Sequence, residues 1–323
     1  MKTKFVYVVV SDETSLYLEQ AVVSAYSARL YNPGAYIEVV IDTNTAETLN
    51  GKRHFVYNYF DKVTVIETPS DYSKKQKSRF LKTNLRNLIS GDYLFIDTDT
   101  IICDSLEDID QLQNDICAVR EYNRISNFTT KDRWMNLLAE KANLVSVINN
   151  EPYFNSGVLY VKDTSRAHSL YDRWYDCWLK TKASGVETDQ TALCWANKLE
   201  GHVIDHIDDL WNCQIKTRGR KFLPEARIIH YFWELGEGDY PLSRHSIYNT
   251  IKEYGEIPPV VKDLVNSPKL LFVNQDEILL IGKANRLKSQ FGTFYKVIEW
   301  MCNVYVYMRL NWFHRNIIKE LLS

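Results

Sequence analysis

The chain has 323 residues, with 39 basic and 41 acidic side chains and a formal charge of −2. Such a balanced charge argues against nucleic acid as a partner. The length suits one large α/β domain, or a domain of about 250 residues with an appendage. The six cysteines form no CxxC pair. We therefore expect neither a disulfide framework nor a zinc site, and we expect a reducing compartment such as the cytoplasm.

Strands and helices alternate in the predicted structure up to residue 100. Apolar runs predict strands at 4–10, 36–41, 62–66 and 92–96. Helical periodicity and stop signals predict helices at 15–31 and 74–90. This alternation is typical of an α/β fold with a mostly parallel sheet and right-handed crossovers, in which ligands bind at the carboxyl ends of the strands.

The pattern is less regular after residue 100. Further strands are predicted at 116–119, 157–161 and 226–232, and further helices at 166–182 and 188–199. The apolar run that opens the chain ends at Ser11, too early for a signal peptide. No stretch reaches the roughly 18 apolar residues of a membrane span, so no transmembrane helix is predicted.

Asp97-Thr98-Asp99 directly follows the predicted strand 92–96. Two carboxylates one residue apart at a strand end can approach one divalent cation, and Mn²⁺ and Mg²⁺ prefer oxygen ligands. Such an ion neutralises charge on a leaving diphosphate. Short acidic triplets are also common in turns, so the position at the end of a parallel strand is what favours a metal site.

The helix before this triplet carries Arg79, Lys82 and Arg86 at spacings that place them on one face. A cationic face near a metal ion is suited to holding a diphosphate. The commoner alternative is a solvated cationic face, and both readings stay open.

Asn155-Ser156-Gly157 is predicted to be a small turn that enters the strand at 157–161. Small residues at such a turn let backbone and amide groups approach the hydroxyls of a ligand. A plain strand-entry turn is the alternative.

Asp189 and Gln190 open the predicted helix at 188–199, where either Thr188 or Asp189 is a natural cap. His230 lies near the end of the strand at 226–232, and a lone histidine among apolar residues is usually a core residue. A second set (His202, His206, Asp208 and Asp209) also resembles a metal site. We reject it because 202–207 reads as a strand, on which residues four apart are separated by about 13 Å.

Taken in order, these segments resemble glycosyltransferase family 8, the retaining enzymes that include glycogenin and bacterial lipopolysaccharide galactosyl- and glucosyltransferases. The resemblance covers about residues 4–235. The matching segments are Val8–Asp12 with Tyr17-Leu18, Arg79 and Lys82, Asp92–Thr100, Phe154–Gly157, Asp189-Gln190, Trp211-Asn212 and Ile229–Tyr231.

The resemblance implies a GT-A fold and a UDP-sugar donor, UDP-galactose or UDP-glucose. It implies that Asp97, Asp99 and His230 bind Mn²⁺ (or Mg²⁺), and that Asp189 and Gln190 face the transferred sugar as the catalytic pair. The residues implied to bind the nucleotide sugar are Val9, Ser11, Asp12, Arg79, Lys82, Asp97, Thr98, Asn155, Ser156 and Gly157. Because Gln190 is a poor nucleophile, we expect catalysis mainly by positioning and leaving-group stabilisation.

The sequence departs from the family pattern at two places. The family usually follows its final histidine with Lys-Pro-Trp, whereas His230 is followed by Tyr-Phe-Trp-Glu without a lysine. Either Arg244 or another basic residue substitutes, or phosphate binding is weaker. The family also often has an aromatic residue that stacks on uracil after the first strand, where this chain has Thr14.

Three functions remain for such a chain. The first is transfer of a hexose to a glycan or glycolipid acceptor. The second is a nucleotidyltransferase that makes a sugar nucleotide, which is disfavoured because residues 11–15 are acidic and contain no glycine. The third is a non-catalytic member that binds a glycan or a partner, for which the missing Lys-Pro-Trp is the only support.

The C-terminal part differs from the rest in charge. We expect a catalytic domain at 1–240 and a helical extension at 241–323. Residues 283–323 contain seven basic and two acidic side chains, together with several aromatic residues. This mixture suits a peripheral contact with the inner face of the plasma membrane, where a lipid-linked glycan would be the acceptor. A helix pair packed on the core is the alternative.

Overall fold

The computed structural model describes residues 1–232, 240–273 and 275–291. Strands and helices alternate as the sequence predicts, and two very short strands are added to the predicted set. The strands are β1 Lys4–Val9, β2 Ile37–Asp42, β3 Lys62–Ile66, β4 Tyr93–Ile96, β5 Thr100–Ile102, β6 Ile116–Arg120, β7 Phe154–Val161, β8 Ile204–His206, β9 Cys213–Gln214 and β10 Ile228–His230. The helices are α1 Tyr17–Tyr31, α2 Thr43–Glu47, α3 Lys74–Thr83, α4 Leu85–Leu88, α5 Arg133–Lys141, α6 Val145–Ile148, α7 Ser165–Ala183, α8 Asp189–Leu199, α9 His245–Tyr254, α10 Pro259–Asn266 and α11 Gln275–Phe291.

Seven strands form the large sheet in the order β3-β2-β1-β4-β7-β6-β8. All neighbours are parallel except β7, which is antiparallel to both β4 and β6. β6 and β7 therefore need no crossover helix between them, because antiparallel neighbours can be joined by any connection that turns back. The sheet is mostly parallel, as expected, and confirms the α/β fold.

A separate three-stranded sheet has the order β5-β10-β9. β10 is antiparallel to β5 and parallel to β9. The last predicted strand, 226–232, therefore lies in this small sheet and is shorter than expected. Phe232 adopts a left-handed backbone (φ 49°), which is incompatible with a continuing strand.

The predicted helix at 74–90 is wrong in one respect, because it consists of two helices. α3 begins with a capping box in which Ser73 and Gln76 exchange hydrogen bonds. It ends at Asn84, whose side chain donates to the Phe80 carbonyl at 2.8 Å. Such local bonding competes with the helix, and the chain resumes as the short α4.

α7 and α8 pack against each other beside the large sheet, and their aromatic residues fix the start of α8. Trp174 and Trp178 are fully buried. The Trp174 indole N–H donates to the Asp189 carbonyl at 2.9 Å, and that of Trp178 donates to the Glu187 carbonyl at 3.1 Å. Buried indoles thus place Asp189 at a fixed position above the sheet.

The chain divides into two compact units, Met1–Phe272 and Val273–Ser323. The first contains both sheets and α1 to α10, and the described part of the second is mainly α11. The predicted boundary at residue 240 stays a prediction. Most of the basic tail expected to contact a membrane, residues 292–323, lies outside the described residues. In the part of the chain that the structure describes, no helix is long and apolar enough to cross a bilayer.

Candidate functional site

The turn Asp97–Asp99 connects the two sheets, since β4 ends before it and β5 begins after it. The Asp97 N–H donates to the Gly157 carbonyl of β7 at 2.7 Å, and the Tyr231 N–H donates to the Asp99 carbonyl at 3.1 Å. In the β5–β10 register, His230 is directly opposite Thr100. Strand pairing therefore brings β10, and with it His230, to the acidic turn.

Asp97, Asp99 and His230 form a cluster in which one ligand atom from each lies within 4.8 Å of the others. His230 Nε2 is 3.3 Å from Asp99 Oδ1. Two carboxylates and one imidazole are a donor set that Mn²⁺ accepts, so the residues fit the expected ion in chemical type. Within the described ranges this is the only group of three or more His, Cys, Asp or Glu residues with such geometry.

The electrostatics of the cluster favour a cation. Burial lowers the pKa of His230, but the carboxylates of Asp99, Asp97 and Glu121 outweigh it, so that its pKa is raised. Burial raises the pKa of Asp97, against the opposing charge of Lys82. Three acidic groups thus converge on one buried imidazole, and a bound divalent cation would relieve their mutual repulsion.

Gly157 lies directly against this cluster. A Cβ at this position would be 2.5 Å from His230 Cε1 and 2.9 Å from both Asp97 Oδ2 and Asn155 Oδ1. The expectation that Asn155-Ser156-Gly157 forms a turn before the strand is wrong, because all three residues lie inside β7. The missing side chain at Gly157 leaves room for the cluster of Asp97, Asp99 and His230 and does not serve a turn.

Asp189 is buried between two cations. Arg79 Nε lies 2.9 Å from Asp189 Oδ1, and Lys82 Nζ lies 3.1 Å from Asp189 Oδ2. Ser156 Oγ donates to the same Oδ2 at 2.7 Å. Burial alone would raise the pKa of Asp189, but Arg79 and Lys82 outweigh it and hold the pKa far below its usual range. Asp189 is therefore ionised.

Lys82 links Asp189 to the cluster of Asp97, Asp99 and His230, because its Nζ is also 3.3 Å from Asp97 Oδ1. Its side chain is 3% exposed, so the helix does not present the solvated cationic face considered above. The grouping with Arg86 is wrong. Arg86 lies beyond the break between α3 and α4, is fully buried, and donates to the carbonyls of Ile89 and Gly91.

Glu121 is a buried site residue that the sequence reasoning missed. Its Oε2 accepts from Asn155 Nδ2 at 2.7 Å and from Gln190 Nε2 at 2.8 Å. Burial raises the pKa of Glu121 although both amides donate to it. The sequence carries a signal for Glu121, because it immediately follows β6. Polar residues that directly follow a strand also marked Asp97 and Asp99.

The loop after β1 is rigidly held. Asp12 Oδ1 accepts from the backbone N–H groups of Thr14 and Ser15, each at 2.9 Å, and Oδ2 pairs with Lys74. Arg53, also missed, donates to the carbonyls of Asp12 and Ser15 at 2.7 and 2.8 Å. These bonds order the loop, and the nucleoside contacts of Asp12, Ser11 and Val9 stay predictions.

The second histidine set was rejected on a premise that needs correction. His202 lies in a turn with φ 63°, and the strand is only Ile204–His206. His202 Nε2 contacts the Glu151 carboxylate at 2.6 Å. Among the described residues, the one group of this kind that could hold a metal ion is Asp97, Asp99 and His230.

The described residues from 8 to 232 fall within a match to the family model "Glycosyl transferase family 8", which covers residues 8–235. None of the curated proteins matches the sequence. The structure resembles the glycosyltransferase GlyE from Streptococcus pneumoniae TIGR4 with a TM-score of 0.50 and 18% identity, over 82% of this chain and 63% of GlyE. The chain thus spans less than two thirds of GlyE.

A second similar structure is the galactosyltransferase LgtC in complex with donor and acceptor sugar analogs. It has a TM-score of 0.50 and 16% identity, over 81% of this chain and 99% of LgtC. At such low identities the two structures show a shared GT-A fold. The family model, in contrast, covers more than half of the chain and includes the turn, β7, the start of α8 and β10.

Proposed function

This chain belongs to glycosyl transferase family 8, and from that premise we propose that it transfers a hexose from a UDP-sugar to a glycan or glycolipid acceptor. We propose UDP-galactose or UDP-glucose as the donor and Mn²⁺, or Mg²⁺, as the cofactor. The observation that carries the proposal is the cluster of Asp97, Asp99 and His230, which fits a divalent cation in ligand type and spacing. The bound ion would stabilise negative charge on the departing diphosphate.

The cations beside the cluster support a diphosphate site. Lys82 Nζ lies near Asp97 and Asp189, and Arg79 pairs with Asp189 from the other side. Both side chains extend from α3 towards the cluster of Asp97, Asp99 and His230. The phosphates of a donor would lie beside this cluster. Arg79 and Lys82 both match the family pattern, so in our proposal they hold the diphosphate without standing in for the lysine that the segment after His230 lacks.

The other residues suit positioning better than covalent catalysis. Asp189 is bound by two cations and a hydroxyl, which makes its carboxylate a weak nucleophile. Gln190 donates to Glu121 and has no acid or base chemistry of its own. We therefore propose that Asp189, Gln190 and Asn155 orient the sugar, and that the reaction proceeds with retention on one face of the ring.

The acceptor side of the proposal concerns the basic tail. We propose that residues 283–323 bind anionic lipid at the cytoplasmic membrane surface and bring the enzyme to a lipid-linked glycan. The support is the excess of basic and aromatic residues in this segment. A truncation before Lys283 should lose binding to anionic liposomes and keep the binding of donor. Unchanged liposome binding would contradict this part.

A thermal-shift screen tests donor and metal together. Ligands that bind only the native state raise its melting temperature. We expect one UDP-sugar with Mn²⁺ to give a shift that is absent with EDTA and in Asp99→Ala. The matched control is Asp263→Ala, an exposed carboxylate on α10, which should keep the shift. A shift with no UDP-sugar, or one that survives in Asp99→Ala, would contradict the proposal.

A further inference from the structure

A continuous line of hydrogen bonds runs from His230 to the start of α8. His230 Nδ1 lies 3.2 Å from Asn212 Oδ1, and Asn212 Nδ2 lies 2.8 Å from Asn155 Oδ1. Asn155 Nδ2 donates to Glu121 Oε2, which also accepts from Gln190. Asn212 is fully buried and Asn155 is 2% exposed. Water therefore cannot replace a bond that this line loses.

The direction of the line is fixed at Asn155. The Gly157 backbone N–H points at one amide atom of Asn155 from 2.9 Å. A backbone N–H only donates, so that atom is the oxygen, although side-chain amide orientations are usually a matter of assignment. The Asn155 nitrogen then faces Glu121, whose carboxylate accepts. Two independent neighbours thus give the same orientation.

The orientation of Asn155 determines that of Asn212. Because Asn155 Oδ1 can only accept, the Asn212 atom that faces it at 2.8 Å must be the donor nitrogen. The Asn212 oxygen consequently faces His230 Nδ1. A hydrogen bond between them requires that Nδ1 carry the hydrogen of the neutral ring.

We infer that Asn212 and Asn155 are positioning residues that hold His230 in its Nδ1–H tautomer, so that the lone pair of Nε2 is directed at the metal site. Nε2 is the ring nitrogen that lies beside Asp99, at 3.3 Å. Metal-binding histidines commonly donate their second N–H to a fixed partner, which sets ring orientation and tautomer. The inference rests on the proposed function in so far as it needs a metal ion.

The opposite tautomer conflicts with this arrangement at every orientation of Asn212. With hydrogen on Nε2, Nδ1 becomes an acceptor facing the Asn212 oxygen. Rotation of the Asn212 amide would repair that contact but would bring two oxygens together at Asn155. Either way one buried acceptor lacks a donor, which is unfavourable away from solvent.

Asn212 is held in turn by a strained segment. Tyr122 and Asn123 both have left-handed backbones, with φ 61° and 48°. This conformation directs Asn123 Nδ2 to the Asn212 carbonyl at 2.9 Å, while Asn123 Oδ1 accepts from the Gln214 N–H at 2.8 Å. Two successive non-glycine residues rarely adopt this region, and such strain is retained where the surroundings require it.

The test uses the full-length protein with ¹⁵N-labelled histidine. The His230 signals are identified by their absence in His230→Gln. In metal-free wild type we expect Nδ1 to show the shift of a protonated nitrogen, whether or not Nε2 shares a hydrogen with Asp99 Oδ1 at 3.3 Å. Asn212→Leu, which keeps the volume but cannot accept, should lose this preference.

Mn²⁺ binding, measured by electron paramagnetic resonance of the free ion, provides a second readout. Asn212→Leu should bind Mn²⁺ about 10–100-fold more weakly than wild type. Asn212→Asp still accepts from Nδ1–H and should keep the wild-type tautomer, but its second oxygen faces Asn155 Oδ1 without a donor, so this variant should be less stable than wild type. The matched control is Asn197→Leu, which removes an equally buried asparagine and should leave both readouts unchanged.

The outcomes separate this inference from the proposed function. A bare Nδ1 in the wild type, or undiminished Mn²⁺ affinity in a folded Asn212→Leu, would overturn the inference while the metal site stands. A wild-type protein that shows the Nδ1–H tautomer but binds no Mn²⁺ would support the positioning of the ring and would overturn the proposed metal-dependent function.

Discussion

Gly157→Ala is the substitution whose consequences the structure defines most sharply. The added Cβ would lie 2.5 Å from His230 Cε1 and 2.9 Å from Asp97 Oδ2, so that both ligands must move away by several tenths of an ångström or more. β7 is hydrogen-bonded on both sides and buried throughout, which prevents the strand from moving instead. The side chains of the cluster must therefore give way.

The expected magnitude has two parts. Overpacking of a buried position costs about 1–3 kcal/mol of the free energy of unfolding. Displacement of two of three metal ligands should in addition weaken Mn²⁺ binding by at least about 10-fold, a change of about 1.4 kcal/mol in binding free energy. Urea denaturation and Mn²⁺ titration of the folded variant measure the two parts separately.

Gly34→Ala is the matched control. A Cβ at Gly34 would meet no atom within 4 Å, and loss of chain entropy in the unfolded state should make the change neutral or stabilising by about 0.4–1 kcal/mol. If Gly157→Ala binds Mn²⁺ as tightly as the wild type, the crowding at the cluster is not what requires glycine, and the reasoning is refuted.

Three further predictions concern the surroundings of the site. Asp189→Asn removes the buried carboxylate that Arg79 and Lys82 share, although Lys82 keeps its contact with Asp97, and should cost about 3 kcal/mol at pH 7. Because the folded pKa of Asp189 is lowered, its stabilisation is present above about pH 4, the unfolded value, and is lost as the pH falls towards the folded one. The difference between the two proteins in urea melts should therefore shrink below about pH 4, and a constant difference would contradict this assignment. Arg53→Met should destabilise the protein by about 3–5 kcal/mol, because Glu19 is fully buried and loses its partner. It should also raise the KM for the donor more than it lowers kcat, and Arg53→Met combined with Glu19→Leu should restore stability but not KM. In Cys302→Ser, no thiol should react quickly with a disulfide reagent at pH 8 until denaturant is added, and a fast-reacting native thiol would contradict it. The physical reason is that burial raises the pKa of each of the thiols of Cys103, Cys117 and Cys177 to about 12.

The sequence predicts the parts of the fold that depend on local patterns. Continuous apolar runs mark β1 and β4 because these strands are buried on both faces. The antiparallel direction of β7 has no local signature, since it depends on which neighbours the strand meets. In the small sheet β5-β10-β9, the strands β5 and β9 escape because two or three residues are too few to show a period, whereas β10 lies within the predicted strand 226–232.

The position of Asp97 and Asp99 was predictable because they directly follow a strand, whereas the pattern alone favoured a core role for His230, and only the family resemblance implied that it joins them. The site was not predictable where a buried side chain acts from a distant segment. Arg53, in a 3₁₀ helix, reaches the loop of Asp12 across more than thirty intervening residues. For Arg86 the prediction was wrong in the opposite way. Helical spacing placed it on one face with Lys82, although the helix is interrupted at Asn84 between them.

The most direct test of the central claim is release of UDP from UDP-glucose and UDP-galactose by the purified protein in the presence of Mn²⁺. We expect that one of the two donors is hydrolysed or transferred, that EDTA stops the reaction, and that Asp99→Ala is inactive although it remains folded. Release of UDP that is unaffected by EDTA and by Asp99→Ala, or no release from either donor by a protein that binds Mn²⁺, would contradict it.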